Sequence, residues 1–262
     1  MTPGGGVPSP RVLTEQEVFD EVVVTPRRAF PRHPDLRVIE RPGWLQIVTP
    51  SLKTGGLNEV IHAQLADDEA DAAIAAAIAG YRKLGLKFRW GVGPGSTPAD
   101  LGARLVRAGL VESWGRGMAR AIGDARYAHA DIAAVDATNV DTFSQVMAAG
   151  WEMDPGPITA LNRVLLAAPD RRERMFLATI DGVPAATASY VAFPRSAFLI
   201  GAVVLPAFRG RGLYRALVEA RLDHARAHGL PLATSHARES TSAPMLEHLG
   251  FSTVVRFPMY FG

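Results

Sequence analysis

The most constraining feature of the sequence is the junction between an apolar run and a glycine-rich turn at residues 199–217. The run Leu-Ile-Gly-Ala-Val-Val at 199–204 is rich in apolar and β-branched residues and predicts a strand. Pro206 ends that strand, because proline cannot donate to a sheet ladder. Arg-Gly-Arg-Gly follows at 209–212, and apolar residues then recur at helical spacing from Leu213. The sequence therefore predicts a strand, a glycine turn and a helix in succession.

This succession predicts an anion-binding turn. The first amides of a helix lack partners and lie at the positive end of its dipole, and glycines let a phosphate approach them. Arg209 and Arg211 add planar donors and positive charge. The turn lacks Gly-x-x-x-x-Gly-Lys-Ser/Thr and Gly-x-Gly-x-x-Gly, which are typical of triphosphate and dinucleotide sites. We interpret residues 209–212, called the cradle below, as a site for another pyrophosphate ligand.

Val-x-Pro followed by Arg-x-x-Gly resembles the acyl-coenzyme A signature of the GNAT N-acetyltransferase superfamily. That signature reads Arg/Gln-x-x-Gly-x-Gly/Ala; residues 209–213 fit it, and Tyr214 stands where Gly or Ala is usual. Downstream, residues 246–251 are similar to the family's closing Tyr-x-x-x-Gly-Phe, with Leu246 in place of the tyrosine. By this resemblance, residues 126–262 are identified as an acyl-CoA-binding GNAT domain.

The resemblance implies acetyl-CoA, or another acyl-CoA, as the cofactor. It also implies that the backbone amides of residues 203–205 face the pantetheine and the thioester carbonyl, where the strand splays from its neighbour. Gly201, inside the predicted strand, is consistent with such a bend. The implied cofactor-binding residues are Val203, Val204, Leu205, Arg209, Gly210, Arg211, Gly212, Leu213 and Tyr214.

Acyl transfer to an amine needs a base for the ammonium proton and, in some enzymes, an acid for the leaving thiolate. His236, at the end of the strand predicted after the cradle helix, is a candidate base, with a polar strand-end residue as the alternative. Glu152 and Asp154, in a loop between two predicted helices, are the other candidates for the base or for amine binding, with solvated loop carboxylates as the alternative; a water wire could also take the proton. Leu246 has no proton to give, so the thiolate either leaves unassisted or takes a proton from another residue, for which Ser240 is a candidate, with Ser242 and Tyr214 as alternatives.

The chain also contains a weak internal repeat. Helix, strand, helix and strand recur in both halves, and Gly109 to Met118 matches Gly250 to Met259 in spacing. The first copy has Leu-Ala-Asp-Asp at 65–68 where the cradle would stand, and its acids would repel a phosphate. We therefore predict an α/β (α+β) fold of two GNAT-like lobes, each a mixed, mostly antiparallel sheet flanked by helices. The predicted organisation is a flexible arm at 1–12, a degenerate lobe at 13–125 and the cofactor-binding domain at 126–262.

Local patterns predict the remaining elements. In the first half they indicate strands at 36–40, 44–48, 86–92 and 110–122, a helix from residue 67, and another that begins at Thr97-Pro98. In the second half they indicate a strand at 132–135, helices at 139–147 and 158–166, and a hairpin turning at Asp181-Gly182. A strand at 230–236 and a short helix at 240–249 complete the prediction.

Composition limits the functional classes. The 262 residues are 48% hydrophobic and carry a net charge of only +2, so we expect a globular protein that binds neither nucleic acid nor membrane. Without cysteine there is no disulfide framework and no thiolate metal site. His224 and His228 have helical metal-site spacing but no third ligand nearby, so we expect no metal. No signal peptide or apolar span is evident, and we expect a cytoplasmic monomer or homodimer.

Three functional hypotheses follow. The first is an acetyl-CoA-dependent N-acetyltransferase in which a small-molecule amine attacks the thioester directly. The second is a non-catalytic acyl-CoA-binding or regulatory protein, because the usual tyrosine is missing. The third keeps the fold but uses a longer acyl-CoA or a peptide acceptor.

Overall fold

The computed structural model describes residues 13–31, 33–54, 57–123 and 131–262. Its helices are α1 Glu15–Val23, α2 Ala70–Lys83, α3 Leu101–Arg107, α4 Val140–Trp151, α5 Pro155–Ala167, α6 Leu213–Ala227 and α7 Ser242–His248. Its strands are β1 Arg37–Arg41, β2 Trp44–Val48, β3 Glu59–Ala63, β4 Arg89–Gly91, β5 Val111–Ala121, β6 Ile132–Ala134, β7 Glu173–Ile180, β8 Val183–Ala192, β9 Ser196–Val204, β10 Leu232–Arg238 and β11 Ser252–Phe261. Within these ranges no helix has the length and apolarity needed to cross a bilayer.

The strands form one eleven-stranded sheet in the order β1-β2-β3-β4-β11-β5-β10-β9-β8-β7-β6. Two neighbouring pairs, β3–β4 and β9–β10, are parallel, and the other pairs are antiparallel. Each parallel pair is connected through a helix, α2 or α6, because a short turn cannot join parallel strands. The predicted mixed, mostly antiparallel architecture flanked by helices is confirmed.

The two halves of the chain exchange their last strands. The first half contains β3-α2-β4-α3-β5 and the second contains β9-α6-β10-α7-β11, so both follow one order. However, β11 lies between β4 and β5, and β5 lies between β11 and β10. At the centre of the exchange Arg116 pairs in register with Arg256, and both donate to Glu239, at 3.2 and 2.8 Å. The exchange therefore joins the sheets of the two halves into one.

Helices cover both faces of the sheet. Because side chains alternate along a strand, Met118 and Ala119 of β5 lie on opposite faces. Helices α6 and α7 pack on the face that contains Met118, called the α6 face. Helix α1 packs through Val22 on Ala119 and Leu232, on the opposite, α1 face. The second half's α4 and α5 cover the same α1 face over Met175 and Leu177 of β7.

Most predicted elements are present, with three differences. Strand β3 was not predicted, because Glu59 and His62 interrupt its apolar pattern. Helix α3 begins at Leu101 with Asp100 as its N-cap residue, so Thr97 does not cap it. The strand predicted at 86–92 is only Arg89–Gly91 in the structure. The predicted arm at 1–12 and the boundary at residues 125 and 126 lie outside the described residues.

Candidate functional site

The cradle is an open turn at the start of α6. Gly210 and Gly212 have φ of +77° and +78°, a left-handed conformation that glycine adopts without strain, and Gly212 is the N-cap residue. A Cβ at either glycine would meet no atom within 4 Å. The amides of residues 210–214 have no acceptor among the described residues, and Arg209 and Arg211 are exposed beside them. The turn is therefore accessible, with free donors at the positive end of a helix.

A wedge between two parallel strands leads away from the cradle. β9 and β10 pair from Ser196–Leu232 to Leu199–Ser235, and beyond that register the strands separate. Gly201 has φ of +63° within a register shift between β8 and β9, so the predicted bend occurs where the wedge opens. The edge of β9 that faces away from β8 has no strand partner along residues 200–204. The carbonyls of Ile200 and Val204 accept from Arg221 and Arg209, and the other backbone groups of this edge are accessible to a ligand.

A buried arginine supports the bend from the α6 face. Arg221 is only 2% exposed, and its guanidinium donates to the carbonyls of Ser189 and Ile200 at 3.0 and 3.5 Å. Those residues flank the register shift, so Arg221 fixes the strand geometry at the opening of the wedge. Burial lowers the pKa of Arg221 to about 10, which leaves the side chain charged at neutral pH. No carboxylate in the described part of the chain pairs with it.

His236 lies on β10 immediately after the last residue that pairs with β9. Its Nε2–H donates to the carbonyl of Val22 in α1, at 2.8 Å, so Nδ1 of the neutral ring carries a lone pair. The ring remains exposed on the α1 face. Desolvation by the surrounding protein lowers the pKa of His236 more than the Val22 hydrogen bond raises it, so the imidazole is neutral at pH 7. An exposed, neutral imidazole with a fixed tautomer can accept a proton at Nδ1.

The surroundings of His236 are mostly apolar. Phe198 and Phe257 contact its ring edge-on, with centroid distances of 5.1 and 5.0 Å. Phe257 belongs to β11, and Val22 belongs to α1 of the first half, so both halves of the chain build this pocket. Arg89, paired with Glu59 at 2.7 Å, lies near enough that its charge also lowers the pKa of His236.

The other predicted residues have separate positions. Glu152 is exposed at the end of α4 in a left-handed conformation, with φ of +53°. Asp154 accepts from Gly156 N at 2.9 Å and caps α5, so its carboxylate already has a structural role. Ser240 is exposed in the turn before α7. Leu246 is 1% exposed in the core under α6, so no proton donor occupies that position.

Sequence reasoning missed two exposed residues beside the wedge. Arg238 follows His236 by two positions on β10, which puts both side chains on the α1 face. The Arg238 guanidinium lies 5.6 Å from the ring centroid of Trp151, at the end of α4. Gly150 brings this helix end against β9, since a Cβ there would lie 2.1 Å from Val203 Cγ2. An exposed arginine at a strand end has no local pattern that would distinguish it.

The equivalent opening in the first half is closed. Thr97 pairs with Gln64 beyond the end of β3, and its amide donates to the Ala63 carbonyl at 3.2 Å. Asp67, where the repeat would place the cradle, forms an ion pair with Arg104, whose Nη1 also donates to the Asp67 carbonyl at 3.0 Å. These contacts fill the position of the wedge and make its entrance acidic, in contrast to the second half.

His224 and His228 stack on α6 at 4.2 Å between ring centroids. Within the described residues no group of three His, Cys, Asp or Glu side chains could hold a metal ion. His224 Nδ1 instead bonds the buried Tyr190 hydroxyl at 2.7 Å. Desolvation, assisted by the charges of His228 and Arg174, lowers the pKa of His224 to about 4.

Acid is expected to destabilise the fold through His224. Its folded pKa lies below the unfolded value of about 6.5, so stability is complete above pH 6.5 and declines as the pH falls towards 4. After discounting for its partial exposure, we expect a loss of about 1 kcal/mol between pH 7.5 and 5. Urea unfolding at both pH values measures this loss, which should shrink by that amount in His224→Gln and by less in His228→Gln, because the charge of His228 also lowers the pKa of His224. Equal pH dependence in wild type and His224→Gln would contradict the assignment.

Comparison with protein-family models gives a match of residues 141–251 to the acetyltransferase (GNAT) family. The matched range includes the wedge, the cradle and most of β10 and α7. Comparison with curated proteins gave no significant match.

Solved structures resemble the whole chain. A functionally unknown conserved protein from Staphylococcus epidermidis is 13% identical, with TM-score 0.65, over 87% of this chain and 94% of that chain. A GCN5-related N-acetyltransferase from Kribbella flavida is 16% identical, with TM-score 0.63, over 95% of this chain and 94% of that chain. A tandem GNAT protein from the clavulanic acid biosynthesis pathway is 16% identical, with TM-score 0.56, over 92% of this chain and 87% of that chain. At these identities the likeness shows the fold alone.

Proposed function

Because the chain contains a domain of the GNAT acetyltransferase family at residues 141–251, we propose that it transfers an acyl group from an acyl-CoA thioester to a small-molecule amine. Acetyl-CoA is the donor we propose. The observation that carries the proposal is the open cradle at the mouth of the β9–β10 wedge, inside the matched range. We assign this activity to the second half, since the corresponding opening of the first half is filled by Thr97 and flanked by Asp67.

The residues of the cradle and wedge fit coenzyme A. The free amides of residues 210–214 suit a pyrophosphate, and both cradle glycines leave open space above the backbone. Arg209 and Arg211 would supply charge-assisted hydrogen bonds at the same place. The open edge of β9 at Val203 and Val204 would bond the pantetheine amides. Leu205, which was also expected to do so, has its amide bonded to the Ala185 carbonyl at 3.0 Å and its carbonyl bonded by Phe208 N at 2.9 Å. Leu213 and Tyr214 would form the first turn of the helix beneath the diphosphate.

Acyl-CoA would supply an activated thioester carbonyl when it is bound. His236 Nδ1 takes the proton from the acceptor ammonium, because the opposite nitrogen is committed to the Val22 carbonyl. The thioester would supply the carbonyl carbon to which the amine nitrogen bonds, and the electron pair of the broken carbon–sulfur bond would leave on sulfur. The edge-on contacts of Phe198 and Phe257 hold the His236 ring in place for this step.

The leaving thiolate does not require a tyrosine. A free thiol titrates near about 8.5, so a thiolate is a tolerable leaving group at neutral pH. Formation of the amide releases a second proton from the amine nitrogen, and we propose that exposed Ser240 relays it to the thiolate, donating its hydroxyl proton to sulfur as it accepts the one from nitrogen. The buried charge of Arg221 lies next to the wedge opening and adds positive potential there.

A non-catalytic acyl-CoA-binding protein is the second candidate, favoured by the buried Leu246 at the usual tyrosine position. Incubation with acetyl-CoA and a broad panel of amines, while free thiol is followed, separates the two functions. Thiol release that depends on the amine supports the transferase. Binding of acetyl-CoA without thiol release across the panel supports the second candidate.

Gly212→Glu is expected to lower acetyl-CoA affinity at least tenfold in calorimetry, or by about 1.4 kcal/mol. The substitution puts a negative side chain at the N-cap position, where the pyrophosphate is proposed to lie. Gly229→Glu is the matched control, because Gly229 at the other end of α6 also has positive φ, of +74°, and open space around it. The control therefore carries the same backbone strain without touching the cradle. Equal affinities of the two variants would refute the cradle as the cofactor site.

A further inference from the structure

We propose that Arg238 and Trp151 bind an anionic group, specifically a carboxylate, on the amine acceptor. The inference rests on the proposed transferase function and defines its acceptor class. Both residues are exposed on the α1 face, Trp151 at 40%, and their contact at 5.6 Å links α4 to β10 across the open wedge. This pair is called the rim pair below.

The guanidinium of Arg238 has unused hydrogen-bonding capacity. The contact of its guanidinium is with the Trp151 ring, while its backbone amide donates to Ser242 Oγ at 2.9 Å and its carbonyl accepts from Thr241 N at 3.3 Å. No acidic side chain in the described ranges forms an ion pair with it. Glu152 follows Trp151 directly and is exposed, yet it makes no such pair either. An unpaired arginine beside a ligand cleft is suited to a carboxylate, which it can hold with two parallel hydrogen bonds.

The tryptophan orients this arginine. Contact with an aromatic ring uses the flat face of a guanidinium and leaves its in-plane N–H donors available. The close approach of Gly150 to Val203 positions the end of α4, and with it the backbone of Trp151, against β9. In the rim pair, the N–H donors of the Arg238 guanidinium therefore have a preferred direction, which those of an isolated surface arginine would lack.

The spacing to His236 defines the acceptor further. His236 and Arg238 are two residues apart on one face of β10, a Cα separation of about 7 Å. Opposite them β5 has Gly117 and Gly115, and Phe257 lies within 3.2 Å of a Cβ built at Gly115. The surface between His236, the proposed base, and the Arg238 guanidinium is therefore apolar. An amine joined to a carboxylate by a short apolar chain matches this arrangement.

The test compares ω-amino acids with their carboxamides as acceptors, with free thiol followed. The series is β-alanine, γ-aminobutyrate, δ-aminovalerate and ε-aminocaproate. Wild type is expected to favour the best acid over its carboxamide about 10- to 100-fold in kcat/KM, the range for hydrogen bonds to a charged group. Arg238→Gln should remove that preference by raising KM for the acid while kcat stays unchanged, and Trp151→Leu should reduce the preference. Arg238→Lys should restore part of it.

Arg256→Gln is the matched control, because Arg256 also lies over a tryptophan, Trp114, at 5.1 Å, but on the α6 face. It should keep the preference for acids. Acetyl-CoA affinity should be unchanged in Arg238→Gln. A tenfold loss of that affinity would assign Arg238 to the cofactor site and overturn the proposal, as would equal use of acids and carboxamides by wild type.

Failure of the transferase function itself is distinguishable. If acetyl-CoA binds but no amine releases thiol, equilibrium binding of the N-acetylated ω-amino acids is measured in the presence of coenzyme A. At least tenfold weaker binding to Arg238→Gln than to wild type supports the rim pair without catalysis. Equal binding to both proteins, or no binding to wild type, overturns it.

Discussion

His236→Gln is expected to lower kcat about 100- to 10,000-fold, the usual contribution of a general base, and to leave acetyl-CoA affinity within about twofold. A glutamine amide can still donate to the Val22 carbonyl in place of Nε2, so the contact between α1 and β10 is preserved. What is lost is the lone pair at Nδ1. The measurement is kcat with a saturating amine, with calorimetry for cofactor affinity.

The pH profile gives this prediction a second readout. Because the folded pKa of His236 lies below the ordinary value of about 6.5, its imidazole stays neutral across pH 6–8. The wild-type rate should therefore follow the deprotonated fraction of the amine, without an acid limb from the base in that range. His228→Gln, at the exposed end of α6, is the control and should retain wild-type kcat. Unchanged kcat in His236→Gln would remove His236 from the reaction and leave proton transfer to water.

How much of the site the sequence could predict depended on the distance between the interacting residues. The cradle depends on Pro206, two glycines and a helix start within a few residues, so its local pattern was sufficient to predict it. The lone pair at His236 Nδ1 depends on Val22, more than 200 positions earlier, and no local pattern indicates that hydrogen bond. Trp151 and Arg238 meet only because α4 approaches β9 closely. Their joint role was therefore not predictable.

The strand exchange was unpredictable for a similar reason. β5 and β11 have matching patterns, and either could pair with β4 or with β10. The repeat between Gly109–Met118 and Gly250–Met259 identified them as equivalent, but equivalence cannot decide which half each completes. The pairing depends on non-local contacts, which a periodic pattern does not encode.

Residues 131–262 expressed alone are expected to fail to fold as a stable monomer, although they contain the entire cradle and wedge. Every partner of β11 lies in the first half, since β11 pairs only with β4 and β5. The fragment would also leave β10 without β5, and would expose Tyr260, which is 3% exposed in the intact chain. Unpaired strand edges with apolar side chains favour aggregation or self-pairing. Circular dichroism, light scattering and acetyl-CoA calorimetry measure this outcome.

The matched control is the same break in the chain with both halves present. Co-expressed residues 1–123 and 131–262 should assemble, because β5 and β11 can still pair and the Glu239 contacts to Arg116 and Arg256 can form. The assembly should bind acetyl-CoA and melt in one transition, as should the intact chain, since neither sheet is complete without the other. A soluble, monomeric fragment 131–262 with wild-type cofactor affinity would contradict this dependence. In that case the first half would not be needed to fold the site, and its contribution would be limited to the pocket at His236.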